Sequence, residues 1–176
     1  MEFNHLHLYV DDLGPWRQRF LTGWAARPGC PHLDSHLLLY LGQVPLLLSD
    51  RRCPRAEAYL QRHPPGIGDL ALRVTDLETT LDRLVRAGGH LHTPITTDRL
   101  GRGRWCQVQG WGSLRHTLIE SYQGAAWVPD HPTPALPPPA PTPPIDGIDH
   151  AVLNVSGEDF SPAAAIGAGS TSARLT

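Results

Sequence analysis

The chain carries one short sequence twice, and this repeat limits its fold more than any other feature. Residues 6–13 read Leu-His-Leu-Tyr-Val-Asp-Asp-Leu, and residues 70–77 read Leu-Ala-Leu-Arg-Val-Thr-Asp-Leu. Both copies follow the pattern L-x-L-x-V-x-D-L. Alternating apolar residues are typical of a half-buried strand, and aspartate is a preferred residue directly before a helix. The repeat therefore predicts two copies of a strand followed by a helix.

The segments after each copy predict elements of the same kind. Pro15 suits the first turn of the first helix, and Trp16, Phe20 and Trp24 fall on one face of it. The second helix follows Asp76 and ends at Gly88-Gly89. Further strands are predicted at residues 37–41, 44–48, 90–94, 104–109 and 114–121, with a short helix at 56–61. The sequence thus predicts an α+β fold of paired βαβββ modules, whose open sheets close around a shared cavity.

A proline-rich segment divides the chain. Residues 128–144 hold nine of the 18 prolines, which predicts an extended linker. Residues 145–155 then read as a third copy of the strand, in which Leu153 and Val155 match Leu8 and Val10. The sequence predicts four regions: a two-module domain at 1–127, the linker at 128–144, the start of a C-terminal domain with a truncated third module at 145–160, and a tail at 161–176. The tail is expected to be disordered, and a frameshift is our hypothesis for its origin, which the DNA beyond codon 165 would test.

Composition excludes several classes of protein. The net charge is −2 and no basic cluster stands out, so nucleic acid is not an expected partner. No long apolar run predicts a membrane span. The three scattered cysteines, Cys30, Cys53 and Cys106, indicate reduced thiols and a cytoplasmic protein. The sequence leaves open whether the chain forms a homo-oligomer.

Three stretches, residues 1–12, 59–69 and 148–154, together with the order of elements, resemble the vicinal oxygen chelate superfamily and, within it, the 4-hydroxyphenylpyruvate dioxygenases. The resemblance implies a cytoplasmic oxidoreductase of tyrosine catabolism. Its C-terminal half would hold Fe(II) with two histidines and one glutamate, decarboxylate a small 2-oxo acid oxidatively and hydroxylate its ring to give homogentisate. His150 matches the first metal ligand. The other two ligands would lie beyond residue 176, so we expect these residues alone to retain no Fe(II) and to be inactive. Hydroxymandelate synthases share the fold, metal and substrate, and stay an alternative.

Two further functions remain open from the sequence. Alignment of the repeats puts His5, Asp69 and His150 at equivalent strand positions, and Glu120 matches the last ligand position of a module. One alternative is therefore a small metalloenzyme in which His5, Asp69 and Glu120 converge. The other is a non-catalytic domain that binds a ligand or a partner. The remaining single histidines, His7, His63, His90, His92 and His116, are expected to be surface or hydrogen-bonded strand residues, and residues 101–104 a hairpin turn.

Overall fold

The structure is a computed structural model, which describes residues 2–29, 34–122, 126–129, 131, 145, 147–159 and 161. These residues form eight strands and three helices. In chain order the elements are β1 (Glu2–Tyr9), α1 (Leu13–Gly23), β2 (Arg27–Pro28), β3 (His36–Leu41), β4 (Val44–Ser49), α2 (Pro54–Leu60), β5 (Gly66–Val74), α3 (Leu77–Arg86), β6 (Leu91–Thr97), β7 (Gly103–Gln109) and β8 (Arg115–Ser121). Most of the predicted linker and tail lies outside the described residues, as does Cys30.

All eight strands belong to one sheet, with the order β2-β3-β4-β1-β5-β8-β7-β6. Within each half of the sheet the first strand pairs in parallel with the last one, β1 with β4 and β5 with β8. The two halves meet where β1 and β5 pair antiparallel, with bulges between Phe3 and His5 and between His7 and Leu8. Each half has the order strand, helix and three strands, which confirms the predicted paired βαβββ modules. The two-residue strand β2 completes the first module and was missing from the sequence prediction.

Aspartate begins both long helices, as the repeat predicted. Asp12 is the N-cap of α1, and its Oδ1 accepts a hydrogen bond from the Gly14 amide at 2.8 Å. Asp76 is the N-cap of α3 and accepts from the Thr79 amide at 2.9 Å. These caps satisfy amide groups that have no partner inside the first helical turn. Trp24 departs from the prediction, since it follows the last residue of α1 and is 55% exposed.

The two long helices cover one face of the sheet. Helix α1 contributes Leu13 and Phe20 to an apolar cluster with β1, β3 and β4. Helix α3 contributes Leu77 and Leu84 to a second cluster with β5, β7 and β8. Each module therefore has its own core, because each amphipathic helix buries its apolar stripe against the strands of its own repeat. Among the described residues there is no helix with the length and apolar character that a membrane crossing needs.

The opposite face of the sheet is covered by α2 and by a short segment after β8, residues 126–129 and 131, which we call the strap. Trp127 of the strap packs against Ala71 and Ile119. Val128 packs in a cluster with Leu38 and Leu47. Both strap side chains are buried. The strap therefore covers part of this face of the sheet.

The predicted third strand does not form in the structure. Residues 147–156 have no regular secondary structure, and Val152 is 74% exposed. This segment lies over apolar residues of β1 and β5, including Leu6 and Leu70, with a cavity of about 390 Å³ between them. A strand needs a hydrogen-bonding neighbour, and β1 and β5 are already paired on both sides. The repeat pattern predicts a strand here, but the described residues offer this segment no free strand edge next to β1 or β5.

Candidate functional site

The face under α2 and the strap contains a partly open cavity of about 390 Å³. Its polar lining comes from the central strands, since His5 and His7 of β1 and Asp69 of β5 point to this side of the sheet. The strap contributes His131, and Trp105 forms part of the wall. A concave, partly aromatic pocket of this size is a common form of binding site for small molecules or ions.

Asp69 lies at the base of the cavity and is 2% exposed. Its Oδ1 accepts a hydrogen bond from the Thr117 amide at 2.9 Å, and its Oδ2 accepts one from the Thr117 hydroxyl at 2.6 Å. The Gln107 amide group also donates to Oδ2. Burial raises the pKa of Asp69, although these hydrogen bonds oppose the change. The carboxyl group is therefore held by internal donors instead of being free to bind a metal ion.

Glu120 lies on the other face of the sheet, so the predicted convergence of His5, Asp69 and Glu120 is wrong. Successive residues of a strand point to opposite faces, and Thr117 faces the cavity while Leu118 packs under α3. Glu120 is on the same side as Leu118. Its Oε2 accepts a hydrogen bond from the Leu77 amide at the start of α3, at 2.8 Å.

Glu120 belongs to a carboxylate cluster with Asp76 and Glu78, whose oxygens lie within 4.8 Å of one another. Arg104 already forms ion pairs with two carboxylates of this cluster. Its Nη2 lies 2.8 Å from Glu120 Oε1, and its Nη1 forms an ion pair with Glu78. Contacts with both carboxylates raise the pKa of the Arg104 guanidinium further. The cluster is best explained as the charged cap of α3.

Four histidines line the cavity, and two of them share a hydroxyl group. His7 Nε2 lies 2.7 Å from Ser49 Oγ, and His36 Nδ1 lies 2.6 Å from the same oxygen. His5 Nδ1 lies 2.8 Å from the Asn4 Oδ1. Burial lowers the pKa of His5 to about 3, and lowers the pKa of His7 and of His36 below the ordinary value. All three imidazoles are therefore uncharged at neutral pH.

Sequence reasoning missed the gathering of these histidines. His7 was expected to be a surface or hydrogen-bonded strand residue, and it is hydrogen-bonded. Neither His36 nor His131 was predicted to be a functional residue, because His36 begins an apolar strand and His131 lies in the proline-rich segment. No short-range spacing connects them, and only the sheet and the strap bring them to one cavity.

His150, the predicted Fe(II) ligand, lies outside this cavity. Its side chain is 74% exposed, and its Nδ1 lies 3.0 Å from the carboxylate of the adjacent Asp149. Within the described residues, the acidic cluster at Glu120 is the one group of three or more His, Cys, Asp or Glu with ligand atoms within 4.8 Å of one another. The described residues therefore do not complete a two-histidine, one-carboxylate set around His150. Its role as a ligand stays a prediction.

Comparison with known proteins identifies the class of fold. No family model matches the chain. A 4-hydroxymandelate synthase variant from Streptomyces coelicolor is similar over 69% of this chain and 38% of its own length, with 25% identity and a TM-score of 0.58. A fusion of a xylose isomerase-like TIM barrel with a 4-hydroxyphenylpyruvate dioxygenase is similar over 94% of this chain and 26% of its own length, with 19% identity and a TM-score of 0.65. Methylmalonyl-CoA epimerase from Mycobacterium tuberculosis is similar over 68% of this chain and 87% of its own length, with 20% identity and a TM-score of 0.53. The fold is that of the paired βαβββ modules of vicinal oxygen chelate proteins.

One curated sequence relative is an uncharacterized protein of Synechocystis sp. It is 26% identical over 179 aligned positions, which cover 93% of this chain and 46% of the relative. The chain therefore spans about half the length of the curated relative it matches.

Proposed function

We propose that this chain supplies the two-module domain of an Fe(II)-dependent 2-oxo acid dioxygenase of the 4-hydroxyphenylpyruvate dioxygenase type, in which the Fe(II) is held by another domain. Residues 1–127 would form the supporting domain, and residues 145–160 would begin the catalytic one. His150 would be the first of its three Fe(II) ligands. The expected substrate is a small aromatic 2-oxo acid, and the expected reaction is its oxidative decarboxylation with hydroxylation.

The observation that carries this proposal is that the carboxylates at the expected ligand positions of the two described modules are already engaged in other hydrogen bonds. Asp69 is saturated by Thr117 and Gln107, and Glu120 points away from the cavity to cap α3. These two modules therefore lack the residues for a two-histidine, one-carboxylate site at the positions the resemblance indicates. The partial match to the synthase and to the dioxygenase fusion supports a role as one portion of such an enzyme.

Among the residues that the structure describes, none joins His150 to complete a two-histidine, one-carboxylate set. In this family the metal supplies a centre at which the 2-oxo acid and O₂ meet. The described modules would support the catalytic domain by packing, and the exposed Val152 and Leu153 next to His150 are available for such contacts.

A chimeric enzyme tests the proposal. Residues 1–154 of this chain would replace the corresponding part of the Streptomyces coelicolor synthase, including the strand that residues 148–154 resemble, so that these residues lead into the remainder of that enzyme. We expect O₂ uptake and CO₂ release from 4-hydroxyphenylpyruvate, and the product would distinguish homogentisate from 4-hydroxymandelate. His150→Ala should abolish turnover, whereas Glu120→Ala should not. A folded chimera that loads Fe(II) but turns over equally well with and without His150 would contradict the assignment.

A second candidate is a ligand-binding domain without catalysis, and the cavity of about 390 Å³ favours it. Calorimetric titration of the full chain with 4-hydroxyphenylpyruvate tests this candidate. Binding that is lost in a folded Leu47→Phe variant, in which the larger side chain fills part of the cavity, would support it. Binding that is unaffected by Leu47→Phe would place the ligand elsewhere.

A further inference from the structure

The histidines of the cavity share one arrangement, in which one ring nitrogen is fixed by an oxygen atom. In His131 the Nδ1 lies 2.9 Å from the carbonyl oxygen of Pro129. In His7 and His36 the fixed nitrogens are the two that contact Ser49 Oγ. Metal-binding histidines commonly have this form, since a hydrogen bond to one nitrogen orients the ring and directs the other nitrogen to the metal.

His131 shows most clearly where the free lone pair lies. A carbonyl oxygen can only accept, so Nδ1 carries the hydrogen that it donates to Pro129. In the neutral ring Nε2 is then unprotonated. That Nε2 is buried and has no hydrogen-bond partner among the described residues. An unpartnered acceptor in a buried position is unfavourable, and a metal ion would satisfy it.

Ser49 allows His7 and His36 to present lone pairs as well. Its hydroxyl oxygen has two lone pairs and can accept a hydrogen bond from each ring. His7 Nδ1 and His36 Nε2 are then both unprotonated and available. The His7 and His36 ring centroids lie 6.5 Å apart, and those of His36 and His131 lie 5.6 Å apart. The three rings therefore form a contiguous group that joins β1, β3 and the strap.

We propose that His7, His36 and His131 bind one divalent transition-metal ion of the kind that prefers imidazole nitrogen, such as Zn²⁺ or Co²⁺. Three neutral imidazoles with an open fourth position form a known type of zinc site. Hard ions such as Mg²⁺ and Ca²⁺ prefer oxygen ligands and would not compete. This site shares no residue with His5, Asp69 or His150. It combines two histidines of the first module with His131 of the strap.

Binding requires the three rings to approach one another. Their free nitrogens do not lie within 4.8 Å of one another in the described structure, so the side chains must shift. The strap already lies over the sheet and is held there by Arg102, so a small adjustment of His131 and of this short segment would bring the third ligand in. The ion would then link the strap to β1 and β3, and should slow backbone exchange in the strap.

Cobalt titration of the full chain, after removal of metals with a chelator, tests the site. We expect one Co²⁺ per chain, with visible absorption of the intensity of a four- or five-coordinate ion, and displacement by Zn²⁺. His131→Gln keeps a donor for the Pro129 carbonyl but removes the metal ligand, and should weaken binding by more than about 100-fold. Ser49→Ala removes only the orienting hydroxyl, and should weaken binding by about 10- to 100-fold.

Two control variants separate this site from the proposed Fe(II) site and from exposed histidines. His150→Ala and His90→Ala should leave the stoichiometry and affinity unchanged, and thermal unfolding would verify that every variant is folded. The proposal is overturned if the folded chain binds no Co²⁺ at a one-to-one ratio. It is also overturned if His150→Ala removes the binding and His131→Gln does not.

Discussion

At the scale of single residues, the cavity is built from polar groups that are buried and mostly satisfied. Asp69 accepts three hydrogen bonds, from the amide and hydroxyl of Thr117 and from Gln107. A buried carboxyl group without such donors would cost several kcal/mol, so the donors determine whether this residue is tolerated. Its partners make Asp69 a structural residue of the second module.

Removing one of these donors should therefore reduce stability. Thr117→Val keeps the shape of the side chain but leaves Asp69 Oδ2 with one donor fewer. We expect the free energy of unfolding to fall by about 1–3 kcal/mol, measured by urea denaturation. The matched control is Thr22→Val on the exposed surface of α1, which should change stability by less than about 0.5 kcal/mol. Equal effects of both substitutions would show that Asp69 does not depend on the hydroxyl.

The uncharged histidines predict a loss of stability in acid. The pKa of His5 is about 3 in the folded chain, compared with about 6.5 when unfolded. Between these values the unfolded state binds more protons, so stability is fully present above pH 6.5 and falls as the pH drops toward 3. One such histidine contributes about 1.4 kcal/mol per pH unit. His7 and His36 act in the same direction. Asp69 opposes them, because burial raises its pKa.

Urea denaturation at a series of pH values from 7 to 4 measures this dependence. In His5→Gln the slope of unfolding free energy against pH should decrease by about 1.4 kcal/mol per unit. His90→Ala, at an exposed position, should leave the slope unchanged. A parent chain with no loss of stability in this range would contradict the low pKa of His5.

At the scale of elements, helix α3 is fixed to the sheet by charge as well as by its apolar face. Glu120 of β8 accepts from the Leu77 amide, and Arg104 of β7 contacts Glu120 and Glu78. Negative charge at the first turn of a helix is favourable, because its free amides carry partial positive charge. The carboxylate that looked like a metal ligand in the sequence is thus a cap supplied by a neighbouring strand.

Glu120→Ala tests this role directly. Loss of the cap and of one ion pair should lower the free energy of unfolding by about 1–2 kcal/mol, with the change detected by thermal unfolding and circular dichroism. The control is Asp82→Ala on the same helix, where the ion pair with Arg86 is exposed and 3.8 Å long, and little change is expected. A Glu120→Ala variant that keeps its stability but binds metal less well would instead support Glu120 as a metal ligand.

At the scale of the whole molecule, the strap forms one wall of the cavity. Arg102 holds it from the side. Its Nη1 donates to the His131 carbonyl oxygen at 2.7 Å, and its Nη2 donates to the Val128 carbonyl oxygen at 3.1 Å. Its guanidinium also lies 4.8 Å from the centre of the Trp127 ring. One side chain therefore contacts three residues of the strap and fixes it over the sheet.

Replacement of Arg102 should release the strap before the core is affected. In Arg102→Ala we expect faster hydrogen exchange in peptides that cover residues 126–131 than in peptides from β1, measured by mass spectrometry. Some overall loss of stability is expected too, because the buried Asp98 loses its ion pair with Arg102. Arg86→Ala, at an exposed position, is the control. An equal increase of exchange in the strap and in β1 would argue against a local role for Arg102.

The sequence by itself determined the modular fold. The repeated L-x-L-x-V-x-D-L pattern located β1 and β5, the aspartates located both helix starts, and the order of elements followed. These features are encoded in residues close together in the chain, because periodicity and helix caps depend on local geometry. Among the strands of the described residues, β2 alone was missed, since two residues are too short for any periodic pattern.

Only the tertiary structure decided the sites. The match of Glu120 to a ligand position predicted that it faces the cavity. Strand β8 is buried on both faces, and the adjacent Leu118 and Ile119 are both apolar. The sequence of β8 therefore has no polar and apolar alternation that would show which face Glu120 is on. Likewise, His7, His36 and His131 come from β1, β3 and a strap far along the chain, and meet only when the sheet is formed. The pattern of the third copy predicts a strand, but the structure shows none at residues 147–156. A strand forms only where a neighbouring strand is free to pair with it.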